Sequence, residues 1–207
     1  MKAWSARRVL AAGACAAALA LPGGCGPRTA FRPPAAGRDP ALRLIRLRHV
    51  AQTDEIGCGP AALAMVAGHW KAGPSAADIV RGMGAGGGAD VSAGELRDYA
   101  KGLGFEARLV SWTMGALVRS VGLGRPVIVA RTVEGQGHFE VVVGYHETRG
   151  YLVIDDPAGG LYRIRREEFE RDWSAPGVRR LALIVAPAAR RSKGWPAGAA
   201  SPGKEAP

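Results

Sequence analysis

Cys58 stands where a polar, turn-prone stretch, Gln52 to Gly57, gives way to an apolar helical pattern. Leu63, Val66, Ala67 and Trp70 recur at the spacing of one helix face. Pro60 suits a first helical turn, where its missing N–H is no loss and its φ is already helical. Cys58 is therefore expected at a helix N-terminus, where free N–H groups and the macrodipole favour a thiolate. A structural cysteine is more at home inside an apolar stripe, so this one reads as a nucleophile. A second chemical group is Gly135-Gln136-Gly137-His138, which puts an imidazole at the mouth of the apolar run Phe139 to Tyr145. The third is Val153-Ile154-Asp155-Asp156-Pro157, a carboxylate pair ending another apolar run. A lone histidine is usually structural and Asp-Pro initiates turns by itself. A hairpin joining the two runs, however, places the start of the first beside the end of the second, and so His138 near Asp155 or Asp156. Thiol, imidazole and carboxylate in that order suit nucleophilic attack on a carbonyl. His49, His69 and His146 carry only structural readings, in a basic approach strand, at a helix end and in a turn. No HExxH, paired cysteines or carboxylate–histidine cluster indicates a metal, and no cofactor is expected.

The elements that must hold these groups are helices first and strands later. After the cysteine helix, Ser75 with Asp78 and Ser92 with Glu95 read as capping boxes, and Thr113 as a third helix cap. Gly102 and Gly104 close the second of these helices, and Phe105, Ala107 and Leu109 alternate as a strand. The runs Pro126–Thr132, Phe139–Tyr145, Tyr151–Ile154, Leu161–Ile164 and Leu181–Val185 read as strands, with a short helix from Arg166 to Trp173. The glycine run Gly84 to Gly88 lacks phosphate-loop spacing. The fold class expected is α+β, with helices preceding an antiparallel sheet.

Outside residues 42–187 the chain changes character. Lys2, Arg7 and Arg8 precede an unbroken apolar run, Val9 to Leu21, the pattern of an export signal. Leu21-Pro22-Gly23-Gly24-Cys25 resembles the lipobox of bacterial lipoproteins, which implies a signal peptide over 1–24 and lipidation at Cys25. Pro22 departs from the usual small or aliphatic residue there. Cys15 leaves with the signal, and with Cys25 acylated Cys58 is the lone thiol of the mature domain; the competing arrangement, a Cys25–Cys58 disulfide, would silence it. Residues 25–41 read as a lipidated N-terminus and linker, and 188–207 as a disordered tail. The formal charge of +10 comes from scattered arginines without interleaved aromatics, which points away from nucleic acid and toward acidic lipid or envelope polymers. The expected location is the bacterial cell envelope, facing the periplasm or exterior.

Gln52…Cys58-Gly59-Pro60-Ala61, then His138 opening an apolar strand, then Asp156-Pro157 with Gly159, resembles the bacteriocin-processing (double-glycine) cysteine peptidase family. The likeness covers most of Gln52 to Val185. It implies a papain-like fold, with Cys58 as nucleophile, His138 as base, Asp156 as the acid that orients it, and Gln52 as an oxyanion donor. Because neighbours on a strand face opposite ways, Asp155 is then expected to meet solvent or a basic residue such as Arg163. Glu140 stands where the family usually has an apolar residue, on the His138 face, free to perturb the histidine or to pair with an arginine. The resemblance implies a peptide or protein substrate, a membrane anchor and export machinery as partners. The same triad also supports acyl transfer or amide hydrolysis on an envelope substrate, and the fold alone supports a non-catalytic binding lipoprotein.

Overall fold

The computed structural model describes residues 29–35, 37–70, 73–84, 91–133 and 135–188. The expected signal peptide, Cys25 and the tail beyond Ala188 lie outside the described residues, as does most of the glycine run. In chain order come β1 (Thr29–Ala30), β2 (Leu42–Leu44), α1 (Cys58–Trp70), α2 (Ala76–Gly82), α3 (Ala93–Gly102), β3 (Phe105–Ser111) and α4 (Met114–Gly122). Then follow β4 (Val127–Val133), β5 (Gln136–His146), β6 (Tyr151–Asp156), β7 (Gly160–Arg165), α5 (Arg166–Trp173) and β8 (Leu181–Pro187). This is the α+β arrangement read from the sequence, with four of the five helices among the described residues ahead of β4.

The sheet runs β1-β7-β6-β5-β4-β8-β3, with β2 paired to the far end of β5, and every pairing is antiparallel. Strands β4 to β7 form an antiparallel meander. β8 returns to separate β4 from β3, a non-local pairing no strand pattern encodes. Thr29 and Ala30, within the stretch read as linker, pair with Arg163 and Tyr162 of β7. His146, expected in a turn, ends β5 and is buried, taking backbone N–H groups of Thr148 and Arg149 on its Nδ1.

Local chemistry sets the helix ends. Ser75 and Ser92 form both capping boxes, each hydroxyl accepting the backbone N–H of Asp78 or Glu95 at 3.2 Å. Thr113 caps α4 by accepting from Ala116. Past α3, Gly104 takes φ +84°, a left-handed conformation that costs a glycine nothing. α1 departs from the one-stripe expectation: Gly59 through Ala67 are all buried. Its small residues let the sheet pack on one side and α2 and α3 on the other. One core, around Leu63, Val66, Leu96, Val141 and Val153, fills that side, and a second, around Leu117, Val142, Ile154, Phe169 and Trp173, joins the opposite face to α4 and α5.

Candidate active site

Cys58 opens α1 as the sequence predicts, half-buried and as a free thiol. The approach is shaped by Thr53, whose backbone exchanges hydrogen bonds with Ile56 and whose hydroxyl accepts from Glu55 and Ile56. The next residue must be small. A Cβ on Gly59 would lie 3.0 Å from Leu96 Cδ1 and 3.3 Å from the Phe139 ring. The helix start therefore seats directly on β5, and the Phe139 backbone N–H donates to Cys58 Sγ at 3.4 Å.

Strand register brings the other two groups together. Val141 pairs with Asp155, so Glu140, Asp156 and His138 share the opposite face of the β5–β6 ribbon. His138 Nε2 meets Asp156 Oδ1 at 2.7 Å, with side-chain exposures of 14% and 0%. Asp156 Oδ1 also accepts the backbone N–H of Ala158 at 2.8 Å, which fixes the carboxylate in the turn after β6. With Nε2 engaged, Nδ1 is the ring nitrogen left for the hydrogen bond that His138 shares with Cys58. Burial alone would lower the His138 pKa, but hydrogen bonds with Asp156 and Cys58 and their charges push it up to about 10. Burial alone would raise the thiol's pKa. The His138 bond, the Phe139 N–H and the imidazolium charge outweigh this and hold Cys58 below its usual range. The arrangement is a thiolate–imidazolium pair braced by a carboxylate. Gln52 enters differently: its backbone N–H donates to Pro157 O at 2.9 Å, tying its loop to the turn after Asp156, while the residue itself is exposed.

Asp155 meets a basic neighbour as expected, but not Arg163: it is buried, and its Oδ1 lies 2.7 Å from His49 Nδ1. Arg163 instead lies over the Tyr151 ring. Three further groups, Arg131, Tyr162 and Asp172, were not singled out from sequence. Arg131, on β4, grips Glu140 through Nε to Oε2 at 2.7 Å and Nη2 to Oε1 at 3.2 Å. Tyr162 joins them, and Asp172 of α5 takes Arg131 Nη1 at 3.0 Å. Of the two roles open to Glu140, pairing with an arginine is the one observed. The visible signal for Arg131 was a charge interrupting the apolar run Val127 to Ala130. His138, Glu140 and Asp156 could offer a metal donor atoms within 4.8 Å of one another. Both Glu140 oxygens are committed to the Arg131 guanidinium, however, so the cation at this spot is Arg131.

The family model that matches residues 46–189 is that of the Peptidase C39 family. Among solved structures, the peptidase domain of Streptococcus ComA, described as a bifunctional ABC transporter involved in a quorum-sensing pathway, is 31% identical. That match covers 70% of this chain and 99% of the other, with a TM-score of 0.57. A double-glycine motif protease from an AMS/PCAT transporter, in complex with its leader peptide, is 24% identical over 73% of this chain and 96% of the other, at a TM-score of 0.55. A C39-like peptidase from Bacillus anthracis shares the fold at 17% identity and a TM-score of 0.61, over 72% of this chain and 98% of that one. No curated protein sequence matches the chain.

Proposed function

The chain belongs to the Peptidase C39 family and is a cysteine peptidase, and we propose that it cuts peptide bonds through Cys58, His138 and Asp156. The observation that carries this reading is the unbroken chain of contacts from thiol to imidazole to buried carboxylate. The Cys58 thiolate attacks the scissile carbonyl and forms a tetrahedral oxyanion. The Cys58 backbone N–H at the helix start and the Gln52 amide stabilise that charge. The His138 imidazolium then protonates the leaving amine as the C–N bond breaks, giving a thioester. His138, now neutral, takes a proton from water as the water oxygen bonds to the thioester carbon, and collapse of this second tetrahedral intermediate breaks the C–S bond, releasing the carboxylic acid product and restoring the thiolate and the imidazolium. Asp156 holds the ring in the tautomer and direction that both transfers need.

The substrate proposed is a leader peptide cleaved after Gly-Gly, by analogy with the double-glycine protease that binds such a leader. The proposed location is the cell envelope, with Cys25 lipidated; support comes from the apolar run Val9 to Leu21 and the Gly23-Gly24-Cys25 that ends it. Among the described residues no helix is long and apolar enough to cross a membrane. An electrophilic peptide probe ending in Gly-Gly tests the chemistry: it should label wild-type protein at Cys58 and leave Cys58→Ala unlabelled. Labelling elsewhere, or none, overturns the reading. Cys25→Ser should release the protein from membranes or leave it unprocessed. A soluble wild-type product with a different mature N-terminus sinks the anchoring proposal.

A further inference from the structure

Behind the imidazole lies a charge cluster that the peptidase chemistry above does not use. The Glu140 side chain is 0% exposed and that of Arg131 1%. The guanidinium fork meets both carboxylate oxygens, while the Tyr162 hydroxyl accepts from Arg131 Nη2 at 2.6 Å and donates to Glu140 Oε1 at 2.9 Å. Phe169 lies under the guanidinium, 5.4 Å from ring centroid to Cζ. Filling this space does not require ions: apolar residues of similar volume do so without the desolvation cost of burying two charges. What distinguishes the position is its neighbour. Glu140 brings an oxygen within 4.8 Å of both the His138 ring nitrogen and the Asp156 carboxylate. Two carboxylates beside one imidazole repel each other and draw positive charge onto the ring.

We propose that Arg131 and Glu140 form a charge-setting pair for the Cys58–His138 couple, Arg131 acting as the counter-ion that keeps Glu140 from competing with Asp156 for the imidazole. Both are positioning residues, and the proposal rests on the catalytic reading of Cys58 and His138. Among the described residues, the charged and titratable groups facing His138 are Cys58 from α1, Asp156 from β6, Glu140 from its own strand and Arg131, its register partner on β4, with Tyr162 from β7 and Asp172 from α5 behind Glu140. His49 and Asp155 lie on the other face of β6. Removing one member of the cluster changes its net charge by one, and the sign follows. Glu140→Gln leaves positive charge near the pair, which favours the thiolate and disfavours the imidazolium. Arg131→Met leaves negative charge, which does the reverse.

The test is the pH at which Cys58 becomes reactive to iodoacetamide, a readout that needs no substrate. Glu140→Gln should move the midpoint of reactivity to lower pH and Arg131→Met to higher pH, each by on the order of one pH unit. The double variant Arg131→Met/Glu140→Gln should return it to the wild-type value. A merely structural pair would lower the amount of reactive protein and leave the midpoint in place, and that result overturns the proposal. If Arg131→Met does not fold, Glu140→Gln decides alone, since glutamine keeps the size and an acceptor: a downward shift supports the pair and an unmoved midpoint overturns it. A wild-type thiol titrating like free cysteine, near 8.5, overturns the catalytic reading and this proposal with it. A depressed wild-type midpoint that neither variant moves overturns the charge pair only.

Discussion

Two histidine–carboxylate pairs leave β6 from adjacent residues, and they differ in everything but bond length. His138 with Asp156 and His49 with Asp155 each stand at 2.7 Å. The first imidazole is 14% exposed and the second 41%. Beyond the first lies the Cys58 thiol, and beyond the second no third chemical group among the described contacts. A short His–Asp contact is thus not by itself a catalytic feature. Burial strengthens the charge interactions around His138, and a nucleophile on its far side gives the raised basicity something to act on. His49 braces chain instead: it anchors the segment that leads to Gln52 against the end of β6.

The largest effect that separates the two pairs is expected at Asp156. Asp156→Ala should lower turnover by on the order of 10²- to 10⁴-fold with the protein folded, because the imidazole loses tautomer and direction. Turnover on one peptide, with circular dichroism for folding, measures it. Next comes the pH profile. The reactive form needs a thiolate and an imidazolium together, so it exists above the depressed Cys58 pKa and below the His138 value of about 10. Activity should therefore hold well below pH 8.5, where a free thiol is largely protonated, and fall as pH rises through about 10. In His138→Ala the alkylation midpoint of Cys58 should move toward alkaline pH, having lost the bond and the charge that depress it. An unmoved midpoint would show that His138 does not control the thiol.

Why the first pair was legible in sequence and the second was not comes down to distance along the chain and periodicity. Ser75 with Asp78, Ser92 with Glu95 and Cys58 with Pro60 act within one helical turn, so their geometry is written locally. His138 and Asp156 are joined by a single hairpin, and an antiparallel register carries one to the other. His49 approaches from a segment read as a strand, which the structure leaves without helix or strand pairing, and meets a residue 106 positions later. Alternation correctly sent Asp155 to the face opposite Asp156; nothing in the pattern named what waited there. Arg131 and Glu140 stand on paired strands, yet their contact is diagonal, since Arg131 is opposite His138 in the register. The insertion of β8 between β4 and β3 is likewise a product of tertiary packing.

The smallest expected effect is at the second pair. Asp155→Ala removes a buried carboxylate whose partner is a 41% exposed imidazole. His49 can then turn to water, so no unpaired buried charge is left, and the cost is that of one partly exposed hydrogen bond, about 0.5–1.5 kcal/mol. His49→Gln should cost no more, provided its amide reaches Asp155. Turnover should stay within a few-fold of wild type in both variants, because Asp156, Ala158 and the Gln52–Pro157 backbone bond remain to hold the catalytic end of β6. Chemical denaturation and turnover on the same preparations give both quantities. If Asp155→Ala cripples turnover while stability falls only by this amount, the face occupied by His49 contributes to catalysis through the Gln52 loop. The His49 variant then separates the two causes: a matching loss of turnover implicates the brace itself, and an intact rate implicates the Asp155 charge.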